Sequence, residues 1–511
     1  MPAPRIDPMQ LNELLRAVDL DSHLSGEGAV EISSLAYDSR RVEPGALFFC
    51  VPGVGETDGH EFAPDAVEAG AVALVVEREL ELPVAQAVVG DSRAMMAPIA
   101  SRFFGDPTSE MVVVGITGTN GKTTTSFLVR SLLESAGRSC GLLGTVKQVV
   151  GGRESEAERT TPEAVDLQRT FREMLDAGDD ACVMEVSSHA LALKRVASIH
   201  FDAKVFTNLT QDHLDFHPGM EEYFEAKRLL FAVEGGVPEM ELEGGISVVN
   251  ADDPYGRRLA EEIGSGPALV TFSAQGGPAT LSARGVTYDA TGSEFACLGS
   301  DGVEFEVRTP LPARFNVENA LAALGVGVAL ELDLTAAAAA LEDAEQVPGR
   351  FESIHAGQSF GAIVDYAHTP DSLENVLTAA RELTQGRLVT VFGCGGDRDR
   401  DKRPLMGRTG AELSDLAIIT SDNPRSEDPA GIIEQVRVGA EGVEGAEIVV
   451  IEDRREAISR SLEGLTAGDT VVIAGKGHEQ GQEFEQGRKI PFDDREVLRD
   501  EIEARVGQEG G

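Results

Sequence analysis

A run of β-branched residues leading into a glycine-rich loop constrains the fold of this chain more than any other feature. Residues 111–117 read Met-Val-Val-Val-Gly-Ile-Thr, an apolar stretch typical of a strand buried in a parallel sheet. A helical pattern follows, and Gly137 provides a stop. The apolar face of that helix carries Phe127, Leu128, Leu132 and Leu133. The sequence therefore predicts a strand–loop–helix unit.

The loop of this unit has the composition of a phosphate-binding loop. It consists of Gly118, Thr119, Asn120, Gly121, Lys122, Thr123 and Thr124. Glycines let backbone N–H groups approach a phosphate closely, and the amino end of the next helix adds a positive dipole. Lys122 would neutralise the β- and γ-phosphates of a nucleotide, and the hydroxyl of Thr123 would reach Mg²⁺. A glycine turn that binds nothing is disfavoured by this strand–helix context.

The loop departs from the strict kinase-type motif at one position. Ile116 stands where the first glycine of that motif is expected. The departure disfavours a kinase, a motor or a switch GTPase. A binding or switch protein that uses this loop remains an alternative at this point.

The chain, with 511 residues, is too long for one ordinary core. We expect three units, at 1–108, 109–346 and 347–511. The third unit alternates apolar strands with loops and helices, and its strands are predicted at 362–365, 388–392, 416–420 and 470–474. This alternation indicates an α/β protein with mostly parallel sheets, in which ligands bind beyond the carboxyl ends of the strands.

Charge and cysteine content exclude several classes of protein. Lys and Arg total 44 against 87 Asp and Glu, which gives a net charge of −43. Such a surface repels nucleic acid and anionic membranes, so neither is an expected partner. The five cysteines form no Cys-x-x-Cys pair, as expected of reduced thiols in a cytosol. Without a signal-peptide core or a membrane-length apolar run, the expectation is a soluble, cytoplasmic protein.

A carboxylate follows another apolar run, at residues 181–184. Glu185 at the end of that predicted strand is well placed to hold Mg²⁺ near the phosphate loop. His213 and Lys227 lie further along the chain. Considered alone, His213 is interpreted as a structural histidine. Lys227 is interpreted as a solvated lysine on a helix.

Three loops of the third unit carry polar and charged residues directly after apolar strands. These residues are Arg398, Asp422, Asn423, Pro424, Arg425, Gly475 and Glu479. An arginine pairs bidentately with a carboxylate, and Glu479 is suited to an ammonium group. Two arginines and an acid suit a zwitterionic amino acid with an additional carboxylate. The alternative for Arg425 is a surface ion pair, which contributes little.

These motifs, in this order and spacing, resemble the Mur ligase family, whose phosphate loop reads Gly-Thr-Asn-Gly-Lys-Thr as residues 118–123 do. The resemblance covers most of the chain. It implies an N-terminal domain for a UDP-sugar and a central P-loop-type mononucleotide-binding parallel sheet for ATP. It also implies a Rossmann-like C-terminal domain for an amino acid. The implied reaction activates a carboxylate as an acyl phosphate, joins it to an amine, and releases ADP and phosphate.

The resemblance also implies roles for the residues around the phosphate loop. Glu185 and His213 would ligate Mg²⁺, and Lys227 would carry CO₂ as a carbamate that serves as a further metal ligand. Together with Thr123, these residues form the expected metal site. Lys122, Lys227 and His213 are the expected catalytic residues.

Substrates are implied in the same way. The residues expected to hold a UDP-muramoyl-dipeptide are Tyr37, Ser39, Thr160, Thr161, Ser187 and Arg195. From chemistry alone, the segment around Ser39 is equally a polar turn. The sequence departs from the family pattern at Arg159, where asparagine is expected, and at Leu193, where glutamine is common.

Within the family, the pattern most resembles the step that adds a diamino acid to UDP-N-acetylmuramoyl-L-alanyl-D-glutamate. The expected acceptor is meso-diaminopimelate, bound by the seven residues of the C-terminal loops, and the expected state is a monomer. Lysine addition and folylpolyglutamate synthesis remain alternatives, although the latter enzymes lack the Asp38-Ser39-Arg40 unit.

Overall fold

The computed structural model describes residues 6–16, 23–26, 28–53, 58–157, 159–212, 216–231, 244–289 and 291–509. Three large sheets follow one another along the chain, with five, eleven and six strands. The predicted α/β class is confirmed. The sheets fall within the three expected units, whose boundaries near residues 108 and 346 remain a proposal.

The N-terminal sheet has the strand order β2-β7-β6-β5-β4 and is parallel except for β2. The strands and helices of the N-terminal unit are β1 Met9–Gln10, α1 Leu11–Arg16, β2 His23–Ser25, β3 Glu31–Ile32, β4 Ser34–Ala36, β5 Ala46–Phe49, α2 Ala63–Glu68, β6 Ala71–Val76, β7 Ala85–Val88 and α3 Ser92–Phe103. Strands β1 and β3 pair in a separate two-stranded sheet. Strand β5 is wholly buried, as its continuous apolar sequence requires.

The described residues of the central unit form eleven strands and seven α-helices. They are β8 Val112–Thr117, α4 Lys122–Ser135, β9 Cys140–Leu143, β10 Gln148–Val150, β11 Arg153–Ser155, α5 Ala164–Ala177, β12 Ala181–Glu185, α6 Ser188–Ala192, β13 Ala203–Phe206, α7 Met220–Arg228, β14 Ile246–Asn250, α8 Pro254–Ile263, β15 Leu269–Ser273, β16 Leu281–Asp289, β17 Gly292–Gly299, β18 Glu304–Thr309, α9 Arg314–Ala329 and α10 Leu334–Glu342.

The central sheet places the phosphate loop in its middle. Its order is β11-β10-β9-β12-β8-β13-β14-β15-β16-β17-β18, with a parallel core from β9 to β16 and antiparallel strands at both ends. Strand β8 lies between β12 and β13. Because carboxyl ends of parallel strands meet at one edge, the loops after these three strands converge.

The C-terminal sheet has the order β19-β20-β24-β21-β22-β23 and is parallel except for β19. A separate hairpin pairs β25 with β26. The elements are β19 Glu352–Ser353, β20 Gly361–Asp365, α11 Pro370–Leu383, β21 Leu388–Phe392, α12 Lys402–Leu413, β22 Leu416–Ile419, α13 Pro429–Glu441, β23 Ile448–Val450, α14 Arg454–Ser461, β24 Thr470–Ala474, β25 Gly481–Glu483, β26 Lys489–Pro491 and α15 Asp494–Glu509.

The structure also bears on two sequence expectations, which concern the cysteines and membrane-spanning segments. All five cysteines are buried and carry free thiols. In the part of the chain that the structure describes, no helix combines the length and apolar character needed to cross a bilayer.

Candidate active site

The glycines of the phosphate loop are required by both backbone conformation and space. Gly118 and Gly121 have positive φ angles of 149° and 84°, which side-chain-bearing residues rarely adopt. A Cβ atom on Gly118 would lie 1.8 Å from Oγ1 of Thr207, and one on Gly121 would lie 2.5 Å from Oδ1 of Asn319. The loop is therefore packed tightly between the end of β13 and helix α9.

Polar contacts fix the remainder of the loop. The backbone N–H of Thr119 donates to the carbonyl of Asn208 at 2.9 Å, and that of Asn120 donates to the Asn208 side chain at 2.9 Å. The ammonium of Lys122 donates to the carbonyl oxygens of Gly118 and Thr119 at 2.9 and 2.8 Å. Burial lowers the pKa of Lys122. The lysine thus lies over the loop where a phosphate would bind.

Glu185, the last residue of β12, is fully buried beside this loop. Its Oε2 accepts hydrogen bonds from the hydroxyls of Thr123 and Thr145 at 3.1 and 3.0 Å, and its Oε1 accepts one from the Thr145 N–H at 2.8 Å. The predicted neighbours Thr123 and Glu185 are therefore brought together. Their hydroxyl and carboxylate oxygens are the hard donors that Mg²⁺ prefers, so these residues fit the implied ion.

Lys227 lies in α7 and is buried against the phosphate loop. Its Nζ donates to the carbonyl of Gly118 at 2.8 Å and lies 4.5 Å from the ring centroid of Tyr223. Burial, with the charge of Lys122 adding to it, holds the pKa of Lys227 well below its usual value. His213, the remaining predicted ligand, lies outside the described residues.

Four of the residues expected to hold the UDP-muramoyl-dipeptide gather beside Glu185. The Thr161 hydroxyl donates to the Glu185 carbonyl at 2.8 Å and accepts from the Ser187 N–H at 3.1 Å. Arg195 donates from Nη1 to the Thr161 carbonyl at 3.1 Å. Thr160 lines the same cavity as Glu185 and Ser187.

The other two of these residues belong to the N-terminal unit. The hydroxyl of Tyr37 donates to the carboxylate of Asp166 in α5, and burial together with this bond raises the pKa of Tyr37. Ser39 begins a short turn that Asp38 caps by accepting a 3.0 Å hydrogen bond from the N–H of Arg40. Tyr37 thus connects the N-terminal unit to the central one, while Ser39 stays a prediction from the resemblance.

Arg159, which stands where the family pattern has asparagine, forms an ion pair. Arg159 contacts the carboxylate of Glu163 at 3.2 Å, and Arg195 and Arg93 contact it at 2.9 and 3.4 Å. Three guanidinium groups therefore share one mostly buried carboxylate, which leaves this region between the two units positively charged. Leu193 follows the last turn of α6.

The predicted C-terminal loops meet around a cavity of about 660 Å³. Its lining includes Arg398, Asp422, Asn423, Arg425, Gly475 and Glu479, and Pro424 joins two of these. We call residues 422–425 the acceptor loop. Gly475 has a φ of 121°, and a Cβ atom there would lie 2.5 Å from the Asp422 carboxylate, so this glycine lets the two strand ends approach.

Lys476 fixes the position of the Glu479 carboxylate, which lines this cavity. The buried ammonium donates to Oδ1 of Asn423 and Oε2 of Glu479, both at 2.8 Å. Asn423 Nδ2 donates to the same Glu479 oxygen at 2.8 Å. Across the cavity Arg425 donates from Nη1 to the carbonyl of Gly396 at 2.8 Å. The cavity therefore presents fixed groups of both charges, as a zwitterionic ligand requires.

We call the 660 Å³ cavity the acceptor cavity. It shares a wall with a second cavity, the phosphate-loop cavity. The second cavity measures about 450 Å³ and is lined by the phosphate loop, Glu185 and Lys227. The residues lining both are Asp212, Tyr366, His368, Thr369 and Asp371. A nucleotide bound at the loop and an amino acid bound by the C-terminal unit would meet at this wall.

Comparison with known proteins shows the family of the chain. The chain matches three domain families along its length: "Mur ligase family, catalytic domain" at residues 31–103, "Mur ligase middle domain" at 116–327 and "Mur ligase, glutamate ligase domain" at 349–477. A relative from Alkaliphilus metalliredigens, named UDP-N-acetylmuramoyl-L-alanyl-D-glutamate–2,6-diaminopimelate ligase, is 43% identical over 96% of this chain and 97% of its own length. The chain belongs to the Mur ligase family.

Further relatives of this Mur ligase carry the same name. The Streptomyces coelicolor protein is 44% identical over 94% of both chains. A solved structure with that name has a TM-score of 0.68 at 31% identity and covers 98% of this chain and 100% of its own. As a family member, the protein is an ATP-dependent ligase that forms an amide bond.

Several residues around the site of this Mur ligase were missed by the sequence analysis. Thr145 holds Glu185, and Arg350 donates to the Thr123 hydroxyl at 3.3 Å while its guanidinium lies 4.6 Å from the ring centroid of Tyr366. Thr145 follows shortly after the carboxyl end of β9. It lies in the region to which the strand-end rule applies, but an uncharged threonine gives no sequence signal comparable to that of Glu185.

Proposed function

We propose that this enzyme adds meso-diaminopimelate to the D-glutamate of UDP-N-acetylmuramoyl-L-alanyl-D-glutamate in the synthesis of peptidoglycan precursors. The observation that carries the proposal is the acceptor cavity, in which Arg398 and Arg425 lie with Glu479 next to the phosphate-loop cavity. Diaminopimelate has one more carboxylate than lysine, and an arginine binds a carboxylate bidentately. The names of the relatives support the same acceptor.

In this proposal the phosphate loop holds ATP, with Lys122 against its phosphates. The attack of a carboxylate on the γ-phosphate brings two anions together. Mg²⁺ held by Thr123 and Glu185 supplies positive charge that offsets this repulsion. The muramoyl dipeptide binds along Thr160, Thr161, Ser187 and Arg195, with Tyr37 and Ser39 at the nucleotide end. Transfer of the γ-phosphoryl group to the carboxylate gives the acyl phosphate and releases ADP. The amine of the acceptor then attacks the acyl carbon, and the amide forms as phosphate leaves and the amine loses a proton.

Lys227 is proposed to act as a carbamate formed with CO₂. A neutral amine is the form that reacts with CO₂, and the low pKa of Lys227 provides it. Carbamylation converts this amine into an anion beside Lys122, which would give the metal site another oxygen ligand. His213 is assigned to the same site on the resemblance alone.

The proposal also covers the cellular compartment, the oligomeric state and the domain boundaries of the enzyme. We propose a cytoplasmic monomer with domains at 1–108, 109–346 and 347–511. Five free, buried thiols suit a reducing compartment. Folylpolyglutamate synthase is represented by a solved structure at 17% identity and a TM-score of 0.59, a likeness of fold alone. The N-terminal domain match at residues 31–103 favours the Mur reaction.

Release of ADP tests the proposal. The enzyme is incubated with ATP, Mg²⁺ and UDP-muramoyl-dipeptide, and candidate amino acids are added one at a time. We expect release that requires both the dipeptide and meso-diaminopimelate, with lysine a poor substitute. Preference for lysine would assign the other diamino-acid step, and release without the dipeptide would exclude the Mur reaction.

A further inference from the structure

A short hairpin packs against the acceptor loop. It consists of β25 and β26. From β25, Gln482 donates to the carbonyl of Asp422 at 2.6 Å, and the N–H of Glu483 donates to Oδ1 of Asn423 at 3.0 Å. In the opposite direction, the N–H of Arg425 donates to the carbonyl of Glu483 at 3.0 Å. The hairpin and the acceptor loop are therefore joined residue by residue.

The same hairpin also holds the side chain of Arg425. Nε of Arg425 donates to the carboxylate of Glu483 at 3.1 Å, and Nη1 donates to the carbonyl of Gly396 at 2.8 Å. Within the described part of the chain, Nη2 makes no further hydrogen bond. Because the guanidinium is planar and rigid, these two bonds fix its orientation and leave Nη2 and the second hydrogen of Nη1 for a ligand.

We propose that Glu483 is a positioning residue that sets acceptor specificity by holding Arg425 in place for the extra carboxylate of the amino acid. This inference rests on the proposed function, in which Arg425 binds that carboxylate. A guanidinium held in place rejects an acceptor without the carboxylate, because a desolvated donor is left unpaired. A guanidinium released from Glu483 turns toward solvent and no longer discriminates.

The ion pair itself contributes little to the stability of the fold. The side chains of Arg425 and Glu483 are 22% and 33% exposed, and pairs of this kind are worth little to stability. Their effect lies in preorganisation, since an arginine already ordered loses less entropy when the ligand binds. The backbone bonds of β25 do not depend on the Glu483 side chain, so its removal leaves the hairpin attached.

The test compares Glu483→Ala with Glu483→Gln and with Glu485→Ala as a control. Glu485 is an exposed acid of the same hairpin. For each protein, kcat and KM are measured with meso-diaminopimelate and with lysine. Glu483→Ala should raise the KM of diaminopimelate by roughly three- to tenfold, the cost of ordering one long side chain, and reduce the preference over lysine. Glu483→Gln should retain that preference, because its amide oxygen accepts the same bond.

Two results would overturn the inference. One is an unchanged acceptor KM and an unchanged preference in Glu483→Ala. The other is a loss in Glu483→Gln as complete as in Glu483→Ala, which would assign the effect to charge rather than position. If Glu483→Ala does not fold, Glu483→Asp, whose shorter side chain does not reach Nε, takes its place. Failure of the wild-type enzyme to use diaminopimelate would instead reject the proposed function, and the wild-type assay alone reveals it.

Discussion

Asn120 of the phosphate loop donates a 2.8 Å hydrogen bond from Nδ2 to the carboxylate of Asp371, the second residue of α11. The hydroxyl of Thr210 donates to the same oxygen at 2.8 Å. The carboxylate thus joins the phosphate loop of the central unit to the C-terminal unit. It also lies in the wall that the two cavities share.

Replacing Asp371 with alanine should slow the reaction. Hydrogen bonds to charged groups contribute about 1.5–3 kcal/mol, so loss of this link should lower kcat by roughly tenfold or more. Steady-state kinetics with all three substrates measure the effect. Glu444→Ala, which removes an exposed acid of the same unit, is the control. A kcat equal to that of the control would show that the link does not matter for turnover.

Replacing Lys227 with alanine should abolish most turnover, because the metal site would lose the anionic ligand that the proposed carbamate supplies. Removing groups that support a metal lowers activity by roughly 10–100-fold, and we expect at least that loss here. A small carboxylic acid in the buffer should partly restore activity by occupying the space of the carbamate. The exposed lysine variant Lys489→Ala is the control. Full activity of Lys227→Ala without added acid would contradict the carbamate.

Replacing Arg425 with alanine should remove selection for diaminopimelate. Loss of one partner of a hydrogen-bonded charge pair costs about 2–5 kcal/mol, so use of this acceptor should fall by orders of magnitude. ATP binding, measured by calorimetry, should stay nearly intact because the phosphate loop lies elsewhere. Arg437→Ala removes a surface arginine of α13 and controls for charge. A variant that kept its preference would refute the assignment of Arg425.

Glu318 in α9 should make stability depend on pH. Burial, and then the carboxylates of Asp252 and Asp253, raise its pKa from 4.5 to about 7. The folded state therefore binds this proton more tightly than the unfolded state, and its stability falls as pH rises from 4.5 through 7. Glu318→Gln should add roughly 1–3 kcal/mol at pH above 7 and nothing at pH below 4.5. Urea unfolding at the two pH extremes measures this, and equal gains at both would contradict the shift.

The charge of the whole chain predicts a requirement for salt. Of its 44 basic residues only eight are lysines, at positions 122, 147, 194, 204, 227, 402, 476 and 489, against 87 acids. Four of the eight lie in or beside the site motifs, and even with the arginines the basic residues balance only about half of the acids, which leaves a net charge of −43. Self-repulsion should destabilise the fold at low ionic strength. The melting temperature should rise between about 0.1 M and 1 M KCl, as the Debye length falls from about 10 Å to 3 Å.

The strand-end rule explains which parts of the site were predictable. The phosphate loop, Glu185 and the acceptor loop each follow a continuous apolar run, and parallel pairing brings such ends together. Residues that lie at a strand end without a charged motif, such as Thr145, gave no comparable signal. Glu483 lies within a short hairpin strand, and its partner Arg425 is 58 positions away. Contacts of that separation depend on tertiary packing that one sequence does not reveal.

The fold, too, could be predicted only in part from the sequence. The parallel core was predicted from β-branched runs such as β8, because burial on both faces requires them. The antiparallel extension of β16, β17 and β18 was not predicted. In β18, residues such as Glu304 and Glu306 alternate with apolar ones, and one face of the strand is exposed. Where such a strand joins a sheet depends on its neighbours rather than on its own pattern.

Helix α9 completes the phosphate loop late in synthesis. The Thr125 hydroxyl donates to Oδ1 of Asn319, which lies 194 positions further along the chain, and the same oxygen limits the space at Gly121. At 5–20 residues per second, a ribosome needs roughly 10–40 s to make that stretch. During this interval the phosphate loop of the nascent chain lacks its contacts with α9. A product truncated before α9 would therefore have an incomplete pocket for ATP.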